Sequence, residues 1–215
     1  MDKLINSIVE NEVFKCFKDG DFKTGEKILR KLSFRLNNES TETKRLVLHN
    51  LAWVQEELGR VELAKKNIVI IKDIIENDEE YKRKNIGNYY LVLGLYIELF
   101  KNEITVEEKI KINQEKYKSC WDNKKYLAEA LLSKFDICFL KDDIEGMVDV
   151  IEEIHSYVME DIYIDSESKE KNDKIRDQLK EVRGNVLGTL KEKDERKYNE
   201  LYEELFNSTS PSIVI

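Results

Sequence analysis

The sequence predicts an all-α protein, and three observations predict it. Apolar residues recur with a 3.6-residue period almost from end to end. The 215 residues include 1 proline, Pro211, and 8 glycines, too few breakers for the turns of an all-β or α/β chain. Short polar turns built on Gly, Asn and Asp punctuate the periodic stretches at similar distances.

The elements follow in order. Leu4, Ile5, Ile8, Val9, Val13, Phe14 and Phe17 form the first helical stripe, closed by the turn Lys18-Asp19-Gly20-Asp21. Asp21 is placed to cap a second helix carrying Phe22, Ile28, Leu29 and Leu32. The polar loop from Asn37 to Thr41 ends in capping residues, and a third helix runs from Thr43 to Leu58 and stops at Gly59. Val61, Leu63, Ala64, Ile68, Ile71, Ile74 and Ile75 mark the fourth. The charged stretch from Glu76 to Lys84 reads as a loop.

The segment from Asn85 to Lys101 is apolar on nearly every side, which predicts a helix covered on more than one face. Thr105 and Glu108 have capping-box spacing and open a helix through Tyr117. Lys124 to Leu140 and Ile144 to Val158 form another pair, followed by an acidic loop from Glu160 to Ser168. A long charged helix carries a narrow stripe, Ile175, Leu179, Val182, Val186 and Leu190. A last helix carries Tyr198, Leu201, Tyr202, Leu205 and Phe206, ahead of a flexible tail at 207–215.

The turns at Gly20, Gly59, Asn102 and Asp142 align, with steps of roughly 40 residues, the period of helical-hairpin repeats. One hairpin cannot bury its apolar face alone, so such units stack. Leu48, Leu51-Ala52, Gly59, Val61, Ala64 and Ile68 follow one pattern. Tyr90, Leu93-Gly94 and Ile97 repeat part of it, as do Gly20-Asp21-Phe22, Gly25 and Leu29. In these residues the chain resembles tetratricopeptide repeats. Gln55 departs from the pattern, standing where it has a large aromatic, and Phe135 where it has a small residue.

The resemblance implies a right-handed superhelix of antiparallel hairpins over residues 1–158, about four of them, with a capping helix pair over 166–206. The alternative is a non-repeating helical bundle. The array is similar to the sensor domains of peptide-pheromone receptors of Gram-positive bacteria and phage, without a DNA-binding domain.

The net charge is −8, from 44 acidic and 36 basic residues, which speaks against nucleic acid as partner. The longest apolar stretch, Tyr89 to Ile97, falls short of the ~20 residues of a membrane span. No secretory signal core opens the chain, so the expected location is the cytoplasm. Cys16, Cys120 and Cys138 form no disulfide framework, and Cys16 and Cys138 fall on apolar faces as reduced thiols. The composition suits a bacterial or phage genome.

His49 and His155 are far apart, and no nucleophile, phosphate-loop or metal-helix pattern is present. Asp142-Asp143, Glu152-Glu153 and the group Asp161, Asp165 and Glu167 read as solvated surface. The expectation is a protein that is not an enzyme and needs no cofactor or metal.

In tetratricopeptide arrays the first helix of each hairpin lines the concave face. The resemblance implies that this face presents Glu10, Phe14 and Phe17, then His49, Trp53, Glu56 and Glu57. Leu91, Leu95 and Glu98 follow, then Leu132, Asp136 and Phe139. Such an aromatic and acidic lining suits a protein or short peptide with apolar side chains and positive charge. Phe17 and Trp53 either line that groove or pack between hairpins. If they line it, changing both to Ala weakens partner binding without unfolding the chain. The second functional reading is a self-assembling structural protein, a homodimer paired through the stripe from Ile175 to Leu190.

Overall fold

The structure, a computed structural model, describes residues 2–121, 124–159 and 169–207. It is all-α, with no strand among the described residues. The acidic stretch 160–168, with Asp161, Asp165 and Glu167, and tail residues 208–215 lie outside the described part. The chain divides into two compact units, 1–105 and 106–215.

The first unit opens with α1 (Asp2–Ile8), a π-helical turn (Val9–Val13) and α2 (Phe14–Lys18), which run on as one rod. Ile5, Val9 and Val13 are buried along it. Then come α3 (Phe22–Ser33), α4 (Thr41–Glu57), α5 (Val61–Glu76), α6 (Glu79–Lys84) and α7 (Ile86–Leu99). Helix α3 packs on α4, α4 on α5, and α5 on α7. Leu29, Val47, Ala52, Val54, Ile68, Ile71, Val92 and Leu93 fill the contacts, each full burial worth about 1–3 kcal/mol.

Local chemistry sets the boundaries. Asp21 accepts the Thr24 amide at 3.1 Å and starts α3. Ser40 accepts the Thr43 amide at 3.3 Å and starts α4 two residues ahead of the expected Thr43. Asp78 accepts the Tyr81 amide at 3.0 Å and starts α6 within the stretch expected to be a loop.

Three of the four aligned turns share one geometry. Gly20 (φ 74°), Gly59 (φ 71°) and Asp142 (φ 58°) are left-handed. Behind each, a backbone N–H reaches the carbonyl five residues earlier: Asp21 to Cys16 at 2.8 Å, Arg60 to Gln55 at 2.7 Å, Asp143 to Cys138 at 2.9 Å. These bonds satisfy carbonyls that the helix end leaves open. The turn at Asn102 differs, with Glu103 and Ile104 both donating to the Phe100 carbonyl at 2.8 and 3.0 Å.

The two departures from the repeat pattern are structural. Gln55 is buried and bridges three helices, donating to Glu26 at 3.5 Å and accepting from Asn67 at 2.8 Å. Arg60 completes the set by pairing with buried Glu26. An aromatic at 55 would leave that carboxylate without its amide partner. Phe135 is a core residue of the second unit.

The second unit holds α8 (Val106–Trp121), a 3₁₀ turn (Lys124–Tyr126), α9 (Leu127–Leu140), α10 (Ile144–Met159), α11 (Lys169–Lys193), α12 (Glu195–Tyr202) and a closing π-helical turn (Glu203–Asn207). Leu131, Phe135, Met147, Ile151, Ile154, Leu179 and Leu190 lie at the centre of its core. The stripe expected to pair two subunits is spent here. Ile175, Leu179, Val186 and Leu190 are buried in their own unit, and Val182 packs against the same core. The amphipathic pattern is real, but its apolar face is covered by α9 and α10 rather than left for a second copy.

All three cysteines are free thiols. Cys120 is the fully buried one, and burial pushes its thiol up to about 12. Cys16 and Cys138 are half-buried.

A candidate partner-binding face

Within the first unit the α1–α2 rod, α4 and α7 run in the same direction. The Thr43 hydroxyl donates to Asn6 at 3.0 Å, and farther along both chains the Trp53 ring meets Phe17. In the next pair His49 hydrogen-bonds to the Leu91 backbone, and farther along the Glu56 and Glu98 charges face each other. Contacts that ascend together along two helices require the helices to be parallel.

This register places eight expected residues in one unit: Phe14, Phe17, His49, Trp53, Glu56, Glu57, Leu95 and Glu98. On α4, His49, Trp53 and Glu56 follow at spacings of four and three, so they share a side. Leu91, Leu95 and Glu98 repeat that spacing on α7. Asp136 and Phe139 belong to the second unit.

The aromatic end is largely self-packed. Phe17 meets Trp53 edge-on with centroids 4.9 Å apart, and Phe22 meets the same indole at 5.7 Å and 89°. Phe17 and Trp53 are half-buried. A Cβ on Gly25 would come within 2.6 Å of the Phe17 ring, so this position needs a glycine if the cluster is to close. Such pairs add about 0.5–1.5 kcal/mol each beyond their area. Phe17 and Trp53 therefore tie α2 and α3 to α4, and removing both rings costs stability. Phe14 is the open member, 40% exposed.

The middle is apolar and the far end acidic. Burial, and then the Arg45 charge, push the His49 imidazole down to about 4, against its hydrogen bond to Leu91. His49 is thus neutral at physiological pH. Leu91 is 51% exposed, and Leu95 is half-buried. Desolvation, then the carboxylates of Glu98 and Glu57, raise the pKa of Glu56, opposed by Lys101. Lys101 itself pairs with Glu98 at 2.7 Å. Glu98 and Glu56 share the Lys101 ammonium, and Glu57 adds a further negative charge beside Glu56, which leaves a negative field for a cation to fill.

The residues of the second unit behave differently. Asp136 is half-buried, its pKa raised by burial, with buried Lys116 as the opposing charge. The two charges act on each other across the α8–α9 contact. Phe139 is 39% exposed beneath the Lys193 ammonium, 5.3 Å from its ring centre.

Sequence reasoning missed the network beside this face. The Tyr81 hydroxyl donates to Glu42, and Asn88 donates to Glu42 at 3.2 Å, binding α6 and α7 to α4. Burial, then that bond to Glu42, push Tyr81 up to about 12. The charged stretch that contains Tyr81 shows no periodicity, so nothing local marked it.

Among the described residues no group of three or more His, Cys, Asp or Glu stands where it could hold a metal ion, and no helix is long and apolar enough to cross a membrane. Comparison with protein-family models, with curated proteins and with solved structures finds no match to this chain.

Proposed function

We propose that this protein is a non-catalytic regulatory adaptor that binds a peptide or protein partner through the common side of α1–α2, α4 and α7. In this reading the hairpins form a right-handed tetratricopeptide-like superhelix, that side is its concave face, and the chain works in the cytoplasm of a bacterium or as a phage-encoded inhibitor or sensor. The observation that carries it is the order of chemistry along three parallel helices: an open Phe14, an apolar step at Leu91 and Leu95, and carboxylates at Glu56 and Glu98 around Lys101 with Glu57 beside them. A partner that matches it has apolar side chains followed by positive charge.

The test uses the exposed residues, because Phe17 and Trp53 also hold the fold. The wild-type protein and a Phe14→Ser/Leu91→Ser/Glu98→Lys variant are each used to capture partners from a source-organism lysate, with melting curves recorded in parallel. A partner held by the wild type and depleted about tenfold or more by the variant, at unchanged melting temperature, supports this face. A partner held equally by both proteins, or no partner at all, overturns it.

A further inference from the structure

We infer that the outer face of α3 is a second, oppositely charged docking surface, which takes an acidic peptide segment carrying an apolar anchor. Lys23, Lys27, Arg30 and Phe34 follow one another at spacings of four, three and four, and so lie on one side of the helix. Lys31 and Arg35 flank them. The opposite side, with Leu29 and Leu32, is buried.

Two features set this face apart. The first is its charge. Several cations elsewhere pair with neighbours, as Lys65 with Glu62, Lys134 with Glu153 and Lys197 with Glu145. The side chains of Lys27, Arg30, Lys31 and Arg35 have no ion-pair or hydrogen-bond partner among the described residues. The nearby carboxylates are committed: Glu26 is buried against Arg60, and Glu39 hydrogen-bonds with Asp2, which raises its pKa. Four uncompensated cations thus stand together on a chain of net charge −8.

The second feature is Phe34, 82% exposed at the end of this row. It lines two hollows. One, of about 240 Å³, is lined by Glu26, Lys27, Arg30, Lys31 and Phe34. The other, of about 470 Å³, is lined by Phe34, Arg35, Asn37, Asn38 and Glu39. Asn37 and Asn38 add amides that can hydrogen-bond a peptide backbone.

Charge selects the partner and the hollows narrow it. A membrane-surface helix lays an apolar face into lipid, whereas the apolar face of α3 is turned into the core. A single-strand groove joins its cations to several stacking rings, and here one ring projects; a duplex needs a broad basic surface, which a chain of net charge −8 does not favour. An acidic peptide uses every part: carboxylates on Lys27, Arg30, Lys31 and Arg35, an apolar side chain against Phe34, and backbone at the asparagines. This surface is chemically opposite to the α4–α7 face, so the two are separable by experiment.

The test is fluorescence anisotropy of the full-length protein with a labelled Glu-Asp-Glu-Phe-Leu-Asp-Glu-Asp peptide. A Lys-Lys-Lys-Phe-Leu-Lys-Lys-Lys peptide, phosphatidylserine–phosphatidylcholine vesicles and oligothymidylate run beside it. The expected result is saturable binding of the acidic peptide that weakens with salt. Lys27→Glu/Arg30→Glu/Lys31→Glu weakens it by about tenfold or more, and Phe34→Ser by about threefold or more. Both variants change exposed side chains and keep the wild-type circular dichroism. Absence of saturable binding overturns the proposal, as does an affinity unchanged in the charge-reversal variant. So does tighter binding of the vesicles or the oligonucleotide through the same residues. Loss of the lysine peptide in a Glu56→Lys/Glu98→Lys variant, with the acidic peptide still bound, tests the α4–α7 face separately.

Discussion

The imidazole of His49 lies half-buried where α4 meets α7, partly desolvated and near the Arg45 guanidinium, and both influences hold it neutral with a pKa of about 4. The folded chain therefore binds this proton more weakly than the unfolded chain, whose histidine titrates near 6.5. The linkage has one sign. Stability from neutral His49 is complete above about pH 6.5 and is lost as the pH falls toward 4, a difference on the order of 3 kcal/mol at most. Glu56 acts in the opposite sense: its raised pKa means that the fold gains stability from this group as the pH falls. Urea midpoints measured across this range are expected to drop between pH 6.5 and 4 in the wild type, and to drop less in His49→Gln. Equal slopes in the two proteins would show that the ring is solvated. The sequence reveals His49 on a helix face at the right spacing from Trp53. It does not reveal that this face meets the Leu91 backbone, because a packing partner 42 residues away leaves no local trace.

Turns are the elements most readable in advance. Glycine at 20 and 59 and aspartate at 142 were aligned by spacing, and all three adopt the left-handed conformation that ends a helix. Asn102 aligns equally well yet sits in a turn with a different bonding pattern, since spacing fixes where a turn falls and not which bonds close it. Helix α6 escaped for another reason. Six mostly charged residues carry no hydrophobic period, and its support comes from the Asp78 cap and from Glu42 on α4. The energetic role of the turn glycine is separable from packing. No atom lies within 4 Å of a Cβ added at Gly59 or at Gly94, so conformation alone decides the effect of alanine at either. Gly59→Ala is expected to cost about 1–2 kcal/mol, because its φ of 71° disfavours a side chain. Gly94→Ala, inside α7, is expected to gain about 0.5–1 kcal/mol through helix propensity. Denaturant midpoints that shift in the same direction for both variants would refute this account.

At the scale of the molecule, helix content and most helix boundaries were legible because amphipathic periodicity is a local property. The division into compact units was not. It falls at residue 105, between two helices that turn spacing assigns to one hairpin. Spacing treats every hairpin alike, whereas a unit is defined by which apolar faces close on one another. In the first unit the parallel rods α1–α2, α4 and α7 enclose Val13, Val47, Ala52, Ile68, Ile71 and Leu93 together with α3 and α5. In the second, α9, α10 and α11 close around Phe135, Met147, Ile151, Leu179 and Leu190. Each core is made from residues of its own unit, and the networks at Glu26 and at Glu42 lie wholly within 1–105. Residues 1–105 expressed alone are therefore expected to keep helical circular dichroism and to melt in one cooperative transition, with a stability of about 5–15 kcal/mol before losses at the new end. A fragment that is helical but melts without cooperativity would mean that the first core needs the second to fix its packing. A fragment that melts cooperatively would also permit binding to be measured on Phe14, Leu91 and Glu98 without Asp136 and Phe139. Equal affinity in fragment and full chain would then assign the partner contacts to the first unit alone.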